Sequence, residues 1–185
     1  PIIGGLSNLA LESMLTHTQS LRSLTLFYPC KPIEDKALAA ASSGLKNNTT
    51  LRELTLEVSQ GATTVSPILT SLRDHPLLRR LCLRGCVEDL TGLETVLQSK
   101  TSNITELDID RRYTRQHVSI RGLTWVLRAL AYRPMFTELG LRYCPLTRYE
   151  VGLLQLALRS IPSLQTLNLV RNNLGSDGVA ELAPA

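Results

Sequence analysis

The chain has 185 residues, of which 43% are apolar, 19% charged and only 4% aromatic. That suffices for one sizeable core in which Leu supplies most of the buried surface. No run approaches the roughly 18 unbroken apolar residues of a membrane span, and a net charge of +4 is too mild to point to nucleic acid.

In chain order, residues 1–20 carry "IIGGLSNLALESML", whose spacing predicts the helix half of a repeat unit ahead of the first full strand. The pattern L-x-x-L-x-L then recurs as "LRSLTL" at 21, "LRELTL" at 51, "LRRLCL" at 78, "ITELDI" at 104, "FTELGL" at 136 and "LQTLNL" at 164. The starts lie 30, 27, 26, 32 and 28 residues apart, and all 18 anchor positions are apolar. Between anchors the apolar spacing is helical: Leu123, Val126, Leu127 and Leu130 fall at i, i+3, i+4 and i+7, and Val151, Leu154 and Leu158 take similar steps. Each unit is thus predicted to be a short strand followed by a helix of about three turns. One unit cannot bury its own apolar face, so neighbours must stack. The final "GSDGVAELAPA" reads as a helix entered but not finished, and free-standing arrays need polar caps. The expectation is therefore a fragment of a longer chain.

The best-formed unit, "LQTLNLVRNNLGSDGVAEL", places Asn172, Leu174, Gly175 and Gly178 as in the helix-containing leucine-rich repeats, and "NNTTLRELTL" at 47 is similar. On these residues the chain resembles a leucine-rich-repeat protein of the ribonuclease-inhibitor-like subtype, as found in NOD-like receptors. The resemblance implies an α/β solenoid forming a single domain over 1–185, curved, with a parallel sheet on the concave face and helices on the convex face. It also implies a non-catalytic role as a protein-binding module, the sensing or scaffolding part of a receptor-like protein. The position eight residues after each first anchor is normally Asn or Cys and here holds Pro29, Ser59, Cys86, Arg112, Cys144 and Asn172; Cys86, Cys144 and Asn172 fit, while Pro29 and Arg112 do not and imply turns that bulge outward, Cys30 taking the inward place in the first.

In that subtype the residues at offsets two, four and six from the first anchor face the concave surface. Offset two gives Ser23, Glu53, Arg80, Glu106, Glu138 and Thr166; offset four gives Thr25, Thr55, Cys82, Asp108, Gly140 and Asn168. Offset six alternates in sign through Glu57, Arg84, Asp110 and Arg142. Glu106, Asp108 and Glu138 make an acidic cluster with Arg80 as the obvious partner, so a basic segment of a protein partner is expected there. Phe27, Tyr28 and Tyr143 place aromatics near the rim, where binding energy concentrates. The candidate protein-binding set is Phe27, Tyr28, Glu57, Arg84, Glu106, Asp108, Asp110, Arg111, Glu138, Arg142 and Tyr143.

The largest insertion, Asp110 to Ser119, adds the basic run Arg111, Arg112, Arg115 and His117. Carboxylates on the adjoining strand would repel phosphate, so no nucleic acid is expected. The same fold includes GTPase-activating proteins, and by analogy Arg111 or Arg112 could assist hydrolysis; no further motif supports this alternative. Neither an enzyme, a cofactor, a metal, a small-molecule substrate nor a membrane is expected. Cys86 and Cys144, two repeats apart, are separated by about 10 Å of strand spacing, beyond disulfide reach. Reduced cysteines favour a cytoplasmic setting. Sequons at Asn47, Asn48 and Asn103 read as local capping residues rather than glycan sites. Trp125, off the main apolar stripe, is expected to pack against a neighbouring helix rather than to serve a binding site on the convex face.

Overall fold

The computed structural model describes residues 2–3, 8–28, 34–112 and 120–183, with the side chains of 2–3, 59–63 and 86 outside that description. Pro29, Cys30, Arg115 and His117, and the side chains of Ser59 and Cys86, therefore lie outside the described residues.

The strands are β1 (Ile2–Ile3), β2 (Ser23–Tyr28), β3 (Glu53–Thr63), β4 (Arg80–Val87), β5 (Glu106–Asp110), β6 (Glu138–Arg142) and β7 (Thr166–Asn168). They form one parallel sheet in chain order, and each strand from β2 onward begins two residues after its first anchor. Between them run α1 (Asn8–His17), α2 (Asp35–Asn47), α3 (Ser66–Ser71), α4 (Leu93–Gln98), α5 (Leu123–Leu130) and α6 (Arg148–Arg159), with α7 (Gly175–Leu182) after β7. Residues 1–20 hold more than the expected helix half, since Ile2 and Ile3 pair with Thr25 and Leu26 of β2.

The alternation of side chains along a strand explains the layering. Leu24, Leu26, Leu54, Leu56, Leu81, Leu83, Leu107, Ile109, Leu139 and Leu141 are buried and share one cluster with the inward residues of α1 to α6. Consecutive helices touch all along the chain, so the helices line one face of the sheet. Each such Leu contributes about 1.5–3 kcal/mol by leaving water. The other face carries the offset-two and offset-four residues, and the register joins Glu53, Arg80, Glu106, Glu138 and Thr166 into one row.

Helices α3 and α4, with six residues each, and α5 and α7, with eight each, are shorter than the expected three turns. The 27- and 26-residue units leave room for only six residues in α3 and six in α4. The 28-residue unit holds the 12 residues of α6. There Thr147 and Glu150 form a capping box that satisfies the first free amides.

Where helices hand over to strands, the backbone is tied by a polar edge. Asn48 Nδ2 donates to the Leu15 carbonyl at 2.7 Å, and its Oδ1 accepts from the amides of Thr50 at 3.0 Å and Leu51 at 2.9 Å. One repeat later His75 does the same job, its Nδ1 facing the amides of Leu77 at 3.4 Å and Leu78 at 3.2 Å. Farther along, Arg133 donates to the carbonyls of Ser102 at 2.6 Å and Ile104 at 3.3 Å. The sequon at Asn48 is thus a buried turn lock with its amide nitrogen engaged. Asn103 is exposed, yet its amide also bonds a backbone carbonyl, that of Pro76 at 2.6 Å.

Asn48→Ala removes three such links and leaves buried backbone groups without partners, an expected loss of about 2 kcal/mol. Urea unfolding followed by helix ellipticity checks it; an unchanged midpoint would show that water replaces the amide at no cost.

Candidate functional site

The open sheet face over β4, β5 and β6 carries two charge networks built from neighbouring strands. Arg80 Nη1 reaches Glu106 Oε2 at 2.7 Å and Glu138 Oε2 at 3.4 Å. Arg142 contacts Asp108 through Nη2 at 2.5 Å and Nε at 3.2 Å, and Asp110 at 3.3 Å. The register accounts for two of these contacts, because Arg80 sits opposite Glu106, and Asp110 opposite Arg142.

The expected acidic cluster with one cation is therefore a mixed network with two. Glycine explains the second. Gly140 pairs with Asp108 across the strands, and a Cβ there would meet Asp108 Oδ1 at 2.3 Å. The carboxylate of Asp108 thus leans into the space a side chain would fill, within reach of Arg142. A basic partner segment meets less net negative charge than the sequence alone suggests.

Asp110 and Arg111 depart from the expected accessible surface. The Asp110 side chain is fully enclosed, bonded by the Arg112 guanidinium and by the Arg112 amide at 3.2 Å. Burial alone would raise its carboxyl, but the Arg112 hydrogen bond and the Arg142 charge outweigh it and hold the group below the usual carboxylate range. Arg111 is 1% exposed, and its Nε donates to the Val87 carbonyl at 2.9 Å. Offset seven turns it inward beneath the strand ends, where a polar head survives only by bonding backbone carbonyls. Neither residue is an accessible contact.

The aromatics separate. Phe27 and Tyr28 are half-buried on β2, with Tyr28 packed against the core. Tyr143 follows β6, half-buried in a left-handed turn with φ 57°. Four strand spacings, about 19 Å, divide them, so only Tyr143 borders the charged networks. Glu57 is half-buried and Arg84 exposed; they border a smaller hollow of about 190 Å³ with Arg112 and Arg142.

Around Gly140 lies an open cleft of about 220 Å³, walled by Arg80, Glu106, Asp108, Glu138 and Arg142. Thr166 and Asn168 of β7 close its far side. Those two, with Arg80 and Gly140, stand in the rows that the repeat predicts but not in the candidate set; the signal was their place beside Glu138 and Asp108. The carboxylates differ in access: the side chain of Glu138 is 42% exposed, that of Glu106 28% and that of Asp108 19%. Glu138 is the group best placed to meet another molecule.

Cys144 is fully buried, and burial pushes its thiol up to about 12. Its backbone amide donates to Asn172 Oδ1 at 2.8 Å, while Asn172 Nδ2 donates to the Leu141 carbonyl at 2.5 Å. Cys82 is also buried, and both thiols are free. Their place is structural. No helix among the described residues is long and apolar enough to cross a membrane.

No model of a known protein family matches the chain, and no curated protein matches it.

Proposed function

We propose that this chain is a leucine-rich-repeat solenoid of the ribonuclease-inhibitor-like kind, a non-catalytic module that binds a protein partner on its open sheet face. Support comes from the repeated strand–helix unit and from one parallel sheet whose strands follow chain order. The observation that carries the reading is the cleft at Gly140, open to solvent and ringed by held charges. The partner segment presents a cation to Glu138 and hydrogen-bonding groups to Thr166 and Asn168. Because Arg80 and Arg142 are already tied to carboxylates, little ordering remains to be done when the partner arrives. The cytoplasm is the proposed setting, consistent with two free buried thiols.

Regulation of a GTPase needs a guanidinium extended to the partner. Arg111 is enclosed and Arg112 is bonded to Asp110, so no observation favours that reading.

The test is capture from source-cell lysate by the wild-type chain beside Glu138→Lys and Thr166→Lys. Both positions are at the surface, so helix ellipticity should be unchanged. A retained protein should bind each variant at least tenfold more weakly, as for residues central to an interface. An identical catch from all three sinks the cleft as the binding site.

A further inference from the structure

We propose that the outer face of α5 and α6 is a second docking surface, built for an acidic segment of a partner protein that carries an apolar anchor. Helix α5 buries Leu123, Val126, Leu127, Ala129 and Leu130, which turns Trp125 and Arg128 to the opposite side. Helix α6 buries Val151, Leu154 and Ala157 and turns out Tyr149 and Leu156. Trp125 is 56% exposed, Tyr149 57% and Leu156 56%. The expectation that Trp125 packs against a neighbouring helix does not hold.

This exposure is not an edge effect. Helix α5 touches α4 and α6, and α6 touches α5 and α7, so both have their lateral neighbours. The aromatics are also fixed. The Arg128 guanidinium lies over the Trp125 ring, 5.2 Å from its centroid, and donates to Tyr149 Oη at 2.5 Å. Three side chains from two helices are thereby held as one unit, with less rotamer freedom to lose on binding. Trp, Tyr and Arg are the side chains in which interface energy concentrates.

The charge selects the partner. Arg128 on α5 is exposed, as are Arg148 and Arg159 at the two ends of α6. Of the nearby acids, Asp89 faces Arg121 at 3.6 Å and Glu150 accepts the Thr147 amide at 2.8 Å, while the Glu181 carboxylate of α7 reaches over Gly152 of α6, one acid against three guanidinium groups. A guanidinium held in a fixed plane suits a planar carboxylate better than a diffuse anionic surface. The exposed Leu156 and Trp125 ask for an apolar side chain between the carboxylates.

Trp125 is the single Trp of the chain, so its emission reports occupancy of this surface directly. The probe is a short synthetic helical peptide rich in Glu, with Leu at every third or fourth position; its control carries Lys in place of Glu. The acidic peptide should blue-shift Trp125 emission saturably and bind more weakly as salt rises. Arg148→Glu and Leu156→Ser should each weaken it about tenfold, whereas Glu138→Lys, on the other face of the sheet, should leave it unchanged. All three sites are at the surface, and ellipticity confirms folding. No shift with the acidic peptide, an equal shift with the Lys control, or a response confined to anionic lipid vesicles or a single-stranded oligonucleotide each overturns the proposal.

Discussion

Replacing Arg111 by Ala should lower the unfolding free energy by about 3–4 kcal/mol. Arg111 is the largest of the fully buried side chains among the described residues, so truncation leaves a cavity that its neighbours fill only in part. The Val87 carbonyl also loses a donor at 2.9 Å, and an unmatched buried acceptor costs about 1–3 kcal/mol by itself. Arg111→Met keeps the apolar stem and should cost roughly half as much. Arg112→Ala should cost less than about 1 kcal/mol, because the Arg112 side chain is 48% exposed and Arg142 still attends Asp110 at 3.3 Å. Urea midpoints for the three variants test the order Ala below Met below Arg112→Ala. An Arg111→Ala midpoint equal to that of the wild type would mean the guanidinium reaches solvent, and would return Arg111 to the accessible loop edge.

Arg111 also marks where sequence reasoning stops. The strand starts and the cross-strand rows were legible because they follow from a period-two pattern repeated at known spacing. Glu53, Arg80, Glu106 and Glu138 stand in one row for no other reason. Burial on the open face is a different matter, since it depends on how far each side chain reaches over its neighbour. Asp108 meets Arg142 because Gly140 leaves a gap, and only coordinates show which carboxylate takes it. The offset-seven position holds Tyr28, Val58, Gly85, Arg111, Tyr143 and Arg171, a mixture with no polarity pattern to reveal that Val58 and Arg111 are buried there while Tyr143 is half-buried and Arg171 exposed. Trp125 fails for a related reason. Its distance from the apolar stripe is visible in the sequence, but the large apolar surface of an indole favours burial while helical phase turns it outward. The structure sides with phase.

The same turn edge that fixes Asn48 makes the fold sensitive to mild acid. His75 is 5% exposed, and burial pushes its imidazole down to about 4. Its Nδ1 faces two amide N–H groups, so that nitrogen accepts, and Nε2 carries the proton toward Asn48 Oδ1 at 3.4 Å. A second proton on Nδ1 would point at the amides of Leu77 and Leu78. The unfolded chain has no such conflict and binds the proton near pH 6.5. Between pH 6.5 and about 4 the unfolded state therefore holds more protons, and stability must rise with pH. His75 contributes fully above pH 6.5, and its contribution fades as pH falls toward 4. With about 1.4 kcal/mol per pH unit, the loss across that window is about 3 kcal/mol. Carboxylates such as Asp110, held below their usual range, add their losses at lower pH. His75→Asn separates the two windows, because an Asn oxygen can accept from the amides two and three residues on, as Asn48 does from Thr50 and Leu51. That variant should stay close to wild type at pH 7 and lose most of the slope between pH 6.5 and 4 in urea titrations. A slope of the same size in His75→Asn would assign the acid sensitivity to another group and leave His75 as packing alone.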